Sequence, residues 1–452
     1  MPFIGNQPAD KFLTLEKQVF TTSATDTYSL DREVSSVNDI ELFLNNVRQE
    51  PTEAYTISGT TLTLASAITA SDSMYCIYQG RAVGTQSPAV GSVTNDMLAG
   101  SIATSKLANQ NIGFRNLIIN GDMSIAQRGT SVSSITSSGY YTIDRWRGAF
   151  SDCGTWTMSQ STDVPTGQGF AYSQKWDCTT AKTPLASGSL FYLNYRIEAQ
   201  NLTQLKYGTS SAESMTVSFW VKSNKTGTYS LLALQRDNSD KMLTKTYTID
   251  SANTWEKKTI IIPSDTSGVI NNDNGEGLSL YWILSAGSNR TSGSINETWA
   301  TYDATDEADS SQVNLADNTA NEWYITGVQL EVGTSASDFE FLPYDVNLDR
   351  CYRYFQRYTS AERVAGFVGN SDAVFTQNML RKDMRSQPTI SVSGVLSFDE
   401  YYVSGRTQSA SDLRRNSGST MSVICIAGNF SSMTRSNAGG LYNANMDMDA
   451  EL

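Results

Sequence analysis

The sequence predicts an all-β protein of several domains. Apolar and polar residues alternate with period two in strand-length runs, and Gly, Asn, Asp or Ser bound these runs. At 452 residues the chain is also too long for one ordinary core. We therefore expect four parts: a small N-terminal β domain (1–86), a short trimeric neck (87–114), a large jelly-roll sandwich (115–357) and a C-terminal β domain (358–452).

Composition excludes several functions. The chain has 33 Lys and Arg against 46 Asp and Glu, a net charge of -13, so nucleic-acid phosphates would be repelled. It has no histidine, which removes the usual general base and the commonest zinc ligand, and we expect no enzyme. Five cysteines without a C-x-x-C pair predict neither a zinc site nor a disulfide framework, which fits assembly in a reducing cytoplasm. The sequence shows no signal peptide or membrane span, so we expect neither secretion nor membrane insertion.

The first β domain is predicted from four alternating runs. Asn45-Asn46 and Ser58-Gly59 separate pairs of these runs and can adopt the positive φ of tight hairpins, so we expect a meander. The order QVFTTSATDTYSL, FLNNVRQEPTEAYTISGTTLTL and DSMYCIYQGRAVG resembles the N-terminal domain of podovirus tail fibres. That resemblance implies attachment to the tail tube and its adaptor or nozzle proteins.

A nine-residue near-repeat follows. Residues 91–99 read GSVTNDMLA and residues 100–108 read GSIATSKLA. Two apolar residues per repeat bury little surface in one chain, but three chains around an axis could close a thin core, which predicts a homotrimeric neck. The phage fibres that the chain resembles are homotrimers. A flexible Ser/Gly linker is the alternative that composition leaves open.

The central region begins with NLIINGDM and continues as strand-length runs that favour a two-sheet jelly roll. The segments NLIINGDMS, SFWVKS, TWEKKTIIIP and WYITGVQLEVG resemble, in order, strands of carbohydrate-binding jelly-roll modules. The ending GVQLEVGTSASDFEFLPYDVNLDRCYRYFQRY resembles receptor-binding segments of phage tail proteins. These resemblances imply that the domain binds a host surface glycan.

Exposed aromatic rings beside amides and carboxylates are the chemistry that holds a sugar. Four tryptophans lie inside strand patterns and are expected in the core: Trp146, Trp220, Trp255 and Trp323. The candidates for carbohydrate binding are Trp282, in LSLYWIL, and Trp299 with Tyr302, in a long polar loop.

Three acidic residues are candidates for a structural calcium. Asp273 and Glu276 lie in an Asn/Asp-rich segment with hard oxygen ligands but without EF-hand spacing. Asp122 follows the first strand of the predicted jelly roll, where modules of the resembled type often carry calcium. Solvated loops are the alternative.

In the C-terminal domain, MLRKDMRSQPTI resembles the distal portion of the same phage tail proteins. Its cations Arg381, Lys382 and Arg385 predict a solvated basic patch, and the last ten residues are expected to be frayed or at a fibre tip.

Together, the resemblances imply a virion protein, a tail fibre that binds a host surface polysaccharide, and the composition favours binding without catalysis. Two alternatives stay open. A polysaccharide-degrading tailspike would need only two carboxylates, although the stacked repeats of a β-helix are absent from the sequence. A fibre connector would have no receptor of its own.

Overall fold

The computed structural model describes residues 15–79, 115–237, 240–370, 373–400, 407–410, 412–420, 422–428, 430, 433 and 435–452. The repeat at 91–108, and with it the predicted neck, lies outside these residues. The chain divides into two compact units, 1–110 and 111–452. The predicted all-β class is confirmed. The finer domain boundaries stay predictions.

The first unit is a small β domain with two sheets over one core. Its strands are β1 (Lys17–Phe20), β2 (Thr27–Ser29), β3 (Ile40–Leu44), β4 (Val47–Arg48), β5 (Tyr55–Ser58), β6 (Thr61–Leu64) and β7 (Met74–Tyr78). One sheet has the order β1-β7-β3-β4 and the other β2-β6-β5. A 3-10 turn covers Val37–Asp39. Apolar side chains from both sheets, among them Leu42 and Leu62, share the core.

Both predicted hairpins of this unit are present. Asn45 and Asn46 connect β3 to β4 with φ of 49° and 62°, and Gly59 lies between β5 and β6 with φ of 60°. The predicted meander is wrong, because β7 pairs with β1 on one side and β3 on the other. Local turn chemistry gave the hairpins, whereas the position of β7 depends on the shared core.

The second unit contains the jelly-roll sandwich. Its strands are β8 (Ser131–Ile135), β9 (Gly139–Tyr140), β10 (Arg147–Ser151), β11 (Thr155–Ser161), β12 (Ser173–Thr180), β13 (Leu190–Glu198), β14 (Met215–Ser223), β15 (Gly227–Gln235), β16 (Lys241–Ile249), β17 (Glu256–Ile262), β18 (Glu276–Ala286), β19 (Ala300–Thr301) and β20 (Glu322–Val332). The seven-stranded sheet has the order β19-β16-β15-β18-β13-β10-β9, and the six-stranded sheet β17-β14-β20-β12-β11-β8. Their ladders are antiparallel.

Alternation along the strands builds the core between these sheets. On β14, Met215, Val217, Phe219 and Val221 face inwards and are fully buried, as strand periodicity requires. Short helices lie in the connections: α1 (Ser288–Thr291), α2 (Tyr344–Tyr352) and the 3-10 segments Ala199–Leu205, Ala304–Asp306 and Leu315–Asp317. Helix α2 leads the chain out of the sandwich.

A third sheet follows α2. Its strands are β21 (Phe355–Tyr358), β22 (Val364–Val368), β23 (Val374–Met379), β24 (Thr389–Glu400), β25 (Thr407–Ala410), β26 (Asp412–Gly418), β27 (Ser422–Gly428) and β28 (Ala438–Asp449). The order is β25-β24-β28-β22-β23-β27-β26, with β21 also paired to β28. This sheet has its own core, which includes Val374, Phe398 and Leu441.

The expectation of a frayed tail is wrong. Strand β28 lies inside the third sheet, between β24 and β22. Beyond it, the Glu451 carboxylate is 3 % exposed and forms an ion pair with Arg145, which is 1 % exposed. The main-chain oxygen of Leu452 accepts a hydrogen bond of 2.6 Å from Arg196 Nη1. These residues therefore join the third sheet to the sandwich.

Candidate functional site

Trp282 does not lie on a surface. It is fully buried on β18 and faces the core between the two sheets. Its ring centroid is 5.5 Å from that of Trp146 and 5.8 Å from that of Phe219. The prediction that Trp282 binds carbohydrate is wrong, because β18 is central in its sheet and alternation turns this side chain inwards.

Trp299 and Tyr302 do not share one surface. Trp299 packs against the inter-sheet core and donates from Nε1 to the carbonyl oxygen of Pro263 at 2.7 Å. Tyr302 packs against a separate apolar cluster on the outer face of the seven-stranded sheet, which includes Met242 and Tyr281. Trp299 and Tyr302 flank β19 and are three positions apart in sequence. Because side chains alternate along extended chain, they point to opposite faces of the sheet.

The outer face of the seven-stranded sheet carries a group of tyrosines that we call the tyrosine patch: Tyr192, Tyr281 and Tyr302, with Arg236, Arg290 and Glu307 around them. Tyr192 and Tyr302 are half-buried, and both pack on the same apolar cluster. Tyr192 and Tyr281 meet edge to face, with ring centroids 4.9 Å apart. Diagonal neighbours on adjacent strands place these two rings together, since Tyr281 is directly opposite Asn194 on β13.

Charged groups hold the edges of the tyrosine patch. Tyr302 donates to Glu307 Oε1 at 2.5 Å, and Arg290 Nη1 lies 3.0 Å from the same oxygen. Burial and the neighbouring Glu307 carboxylate raise the pKa of Tyr302 to about 12. On the other side, Arg236 Nη2 donates to the Tyr281 hydroxyl at 3.4 Å. The patch therefore combines tyrosine hydroxyls with two guanidinium groups that are already paired, Arg290 with Glu307 and Arg236 with Asp240.

Sequence reasoning missed Tyr192 and Tyr281. Both lie in apolar strand runs, FYLNY and LSLYWIL, that give no sign of which face is outside. The neighbour of Tyr281 in sequence, Trp282, was chosen instead, although adjacent residues on a strand face opposite ways. An error of one position therefore placed the candidate in the core.

The six-stranded sheet has a different outer face. Trp220 and Trp255, expected in the core, are half-exposed there, whereas Trp146 and Trp323 are fully buried as expected. Trp255 Nε1 donates to Asp163 Oδ1 at 2.9 Å. Sequence reasoning thus assigned two of these four tryptophans to the wrong side of the sheet.

Loops cover much of this second face. Tyr172 accepts a hydrogen bond of 2.7 Å from Thr326 on β20 through its carbonyl oxygen, and the ring of Phe170 lies over Gly327. Gly327 has a φ of +61°, and a Cβ there would come within 2.5 Å of Phe170 Cζ. The rest of this outer face lies around Trp255, where Lys222 forms an ion pair with Asp163.

The residues around Asp122 do not fit calcium. Asn347 Oδ1 accepts from the backbone N–H of Asn120 at 3.1 Å, which turns its amide nitrogen towards Asp122 Oδ1 at 3.0 Å. Ser124 donates to the same oxygen at 3.0 Å. Burial raises the pKa of Asp122. One carboxylate surrounded by hydrogen-bond donors lacks the six to eight oxygen ligands that calcium takes.

Asp273 and Glu276, the other predicted calcium ligands, also make contacts that do not fit calcium. Asp273 Oδ1 accepts from the backbone N–H of Gly275 at 2.8 Å, as in a local turn. Glu276 lies 3.3 Å from Arg196 Nε and 3.7 Å from Arg236 Nε. Two guanidinium groups beside this carboxylate do not fit a cation site. Within the described ranges no three Cys, Asp or Glu residues come together as a metal site.

The first unit presents an apolar row on the outer face of its four-stranded sheet. Val19, Tyr75 and Phe43 are directly opposite one another on β1, β7 and β3. Val19 is 67 % exposed, and the rings of Phe43 and Tyr75 stack with centroids 4.9 Å apart. Lys17 Nζ lies 4.0 Å from the Tyr75 ring centroid. An exposed apolar row of this kind is typical of protein interaction surfaces.

Among the described residues no helix is both long and apolar enough to cross a bilayer. Four buried cysteines, Cys76, Cys153, Cys178 and Cys351, are free thiols. Burial raises the pKa of the Cys76 and Cys178 thiols to about 11, which keeps them protonated and unreactive at neutral pH.

Comparisons with known proteins give partial structural similarity. No family model matches the sequence, and no curated protein matches it. One similar structure is the enzymatically active domain of tailspike protein 4 of bacteriophage CBA120, at 11% identity and a TM-score of 0.27, covering 48% of this chain and 21% of that one. The match thus spans about a fifth of the tailspike domain.

Two carbohydrate-binding modules are also similar. The family 11 module of the Clostridium thermocellum cellulase Lic26A-Cel5E has 11% identity and a TM-score of 0.23, covering 45% of this chain and 99% of the module. The module TmCBM61, in complex with β-1,4-galactotriose, has 11% identity and a TM-score of 0.24, covering 48% and 99%. Similarities of this size do not assign the chain to a family.

Proposed function

We propose that this chain is a tail fibre of a short-tailed bacteriophage, a structural virion protein that binds a host surface glycan and does not cleave it. In this proposal the first unit attaches the fibre to tail proteins, three chains associate through the neck, and the second unit contacts the receptor. The protein assembles in the host cytoplasm and functions in the virion.

The tyrosine patch carries the glycan-binding part of the proposal. Pyranose rings expose C–H groups that pack on aromatic rings, and their hydroxyls hydrogen-bond to charged side chains. Tyr192 and Tyr302 supply ring surface, while Arg290 and Glu307 supply donors and an acceptor in fixed positions. Because these groups are held by an apolar cluster on a rigid sheet, little ordering is needed on binding.

Attachment is supported by the apolar row of the first unit. Val19, Phe43 and Tyr75 form a continuous apolar strip with Lys17 at its side. A flat row on a sheet suits a protein partner better than a sugar, since the stacked rings face one another rather than a ligand. The N-terminal resemblance to podovirus fibres points to the same role.

Trimer formation would compensate for weak sugar affinity. Aromatic pairs contribute about 0.5–1.5 kcal/mol beyond the area that they bury, and a sugar on one ring is taken as comparable, so one patch binds weakly. Three patches on one fibre would rebind at high effective concentration and raise the avidity by orders of magnitude.

The test of glycan binding compares two aromatic substitutions. Purified full-length protein is titrated with capsular and lipopolysaccharide fractions from candidate hosts in affinity electrophoresis. We expect Tyr192→Ala to weaken binding by up to about tenfold, the equivalent of one aromatic contact. Trp255→Ala removes a half-exposed ring from the opposite sheet and is the matched control. Equal losses in both variants would exclude the tyrosine patch as the receptor site.

The same samples test for cleavage. The polymer mass is measured by light scattering before and after incubation, and we expect no change. A falling mass would favour the polysaccharide-degrading tailspike instead.

Attachment is tested with particles that lack this protein. We expect wild-type protein to sediment with them and Tyr75→Asp to stay in solution, because a carboxylate in the apolar row would be desolvated on docking. Lys257→Asp, a solvent-exposed change on β17 of the second unit, is the control. Attachment without binding to any tested glycan would favour a fibre connector.

A further inference from the structure

Three phenylalanine rings form a cluster on the second unit, between the loop after β11 and the segment after β20. The ring centroids of Phe170, Phe339 and Phe341 lie 4.9–5.1 Å from one another. Phe170 is buried, whereas Phe341 is 50 % exposed. Tyr344, the first residue of α2, follows three positions later and is 63 % exposed. The cluster thus has a buried base and an exposed apolar edge, by which we mean Phe341 and Tyr344.

The exposed edge is held in place by the backbone beneath it. Gly169 has a φ of +84°, and a Cβ there would lie 3.3 Å from Phe341 Cζ, so the ring packs directly on this loop. The backbone N–H of Glu340 donates to Gln329 Oε1 on β20 at 2.8 Å. An ordered aromatic ring that stays half in water forgoes roughly 25 cal/mol per Å² that burial would give. A partner that covers the edge would therefore gain this free energy.

The chain enters the second unit beside this edge. The backbone N–H of Asn116 donates to Glu340 Oε2 at 2.8 Å, and Glu340 directly precedes Phe341. The backbone N–H of Leu117 donates to the carbonyl oxygen of Leu330 on β20 at 2.9 Å. The entry point and the exposed edge are therefore neighbours on the surface of the second unit.

This entry point limits where copies of the chain can meet. In the proposed trimer the repeat at 91–108 surrounds the three-fold axis, and Asn116 is the eighth residue after Ala108. Eight residues span at most about 29 Å even when fully extended. Asn116 of each copy is thereby kept close to the axis. The surface around Asn116 is consequently the part of the second unit that three copies bring together.

Charge and area indicate what kind of contact forms there. Each chain has a net charge of -13, so most of its surface repels another copy, whereas uncharged rings approach without like-charge contact. Two partly exposed aromatic side chains offer roughly 200 Å² to a partner. A stable interface needs about 800 Å² from each side. The contact is therefore too small to hold alone and needs the high effective concentration that a shared neck provides.

We propose that a second copy of this chain covers the exposed edge, so that Phe341 and Tyr344 of the three copies meet around the three-fold axis. The inference rests on the trimeric neck of the proposed function and goes beyond it, because it adds a contact between the second units. This contact orients the three tyrosine patches relative to the axis. Simultaneous binding of several sites to one surface requires such a fixed geometry.

Cross-linking of the full-length protein tests the contact. Tyr344→Cys places a thiol on the exposed edge, and Thr248→Cys places one at an exposed position on β16, in the other sheet of the sandwich. Both variants and wild type are treated with a short bismaleimide, and covalent dimers are measured on denaturing gels. We expect about tenfold more dimer from Tyr344→Cys than from Thr248→Cys, because the trimer holds the copies at high effective concentration. For the same reason dilution should not change the yield.

A charge at the same edge tests its contribution to assembly. Tyr344→Asp places three carboxylates near the axis, whereas Thr248→Asp adds the same charge on β16. Both positions are exposed, so circular dichroism melts should show folded protein for both variants. In light scattering over a dilution series, we expect Tyr344→Asp trimers to dissociate at about tenfold higher concentration than wild type, because like charges repel at the contact. Equal dissociation of the two variants would overturn the inference.

The inference and the proposed function fail separately. A full-length trimer in which Tyr344→Cys cross-links no better than Thr248→Cys overturns the inference and leaves the proposed function standing. A dimer yield that falls on dilution also overturns it, because the contact would then join separate trimers. Selective cross-linking in a protein that binds no polysaccharide supports the inference and contradicts the glycan-binding proposal. A full-length monomer overturns the inference together with the trimeric neck.

Discussion

The ion pair between Glu451 and Arg145 gives the sharpest prediction for stability. Both side chains are almost completely buried, at 3 % and 1 % exposure. Arg145 also lies with its guanidinium carbon 3.4 Å from the Tyr354 ring centroid, and its Nη2 donates to the main-chain oxygen of Arg196 at 2.6 Å. The substitution Glu451→Gln keeps the size of the side chain and removes its charge.

The expected cost follows from the charge that is left behind. Removing one partner of a buried ion pair costs about 3–5 kcal/mol, because the other charge stays desolvated without compensation. For a unit of this size roughly 2 °C of melting temperature corresponds to 1 kcal/mol, so we expect Glu451→Gln to melt about 6–10 °C below wild type.

Circular dichroism melts measure the effect, and Glu213→Gln is the matched control. Glu213 also pairs with a cation, Lys206 at 3.1 Å, but both side chains are about half exposed. An exposed pair contributes under about 1 kcal/mol, so the control should melt within about 2 °C of wild type. If Glu451→Gln melts with the wild type, the residues after β28 do not anchor the third sheet to the sandwich.

Three further predictions concern the core, pH and assembly. Trp282→Ala should lower the free energy of unfolding by about 3–5 kcal/mol in urea titrations, because Trp282 is fully buried. Its folded protein should keep the glycan affinity of wild type. Normal stability together with lost glycan binding would contradict the burial of Trp282. Burial alone would raise the pKa of Asp265, but hydrogen bonds from the Ser267 and Gly268 backbone and from Lys241 lower it to about 2. Because a lowered carboxyl pKa stabilises the fold above the unfolded value of about 4, Asp265→Asn should cost about 2 kcal/mol at pH 7, and this deficit should disappear as the pH falls through 2. By light scattering, the full-length protein should have the mass of three chains, and a chain that begins at Asn116 should have the mass of one chain. A monomeric full-length protein would remove the argument for a trimeric neck.

The sequence was sufficient for the fold class and for several local features. Asn45-Asn46 and Gly59 predicted hairpins correctly, because few residues tolerate positive φ and their chemistry is local. Strand-length alternation predicted the sandwich, and inward positions such as Phe219 follow from period two alone.

The candidate site was predicted only in part. Tyr302 lies in the tyrosine patch, as its polar loop suggested, but Trp299 packs on the other side of β19. Tyr192 and Tyr281 could not be found from sequence, since strands in apolar runs do not show which face is covered by loops. Trp255, predicted in the core, instead lies just before β17 and is half-exposed.

What the sequence determined by itself was the class of protein: many short strands, acidic charge, no histidine, and turns at fixed places. These are properties of single residues and their near neighbours. The tertiary structure decided which side chains meet. Arg353 and Glu198 are 155 positions apart, and Arg145 and Glu451 are 306 positions apart. Such contacts depend on how sheets pack, because burial and charge pairing act through space and leave no periodic trace along the chain.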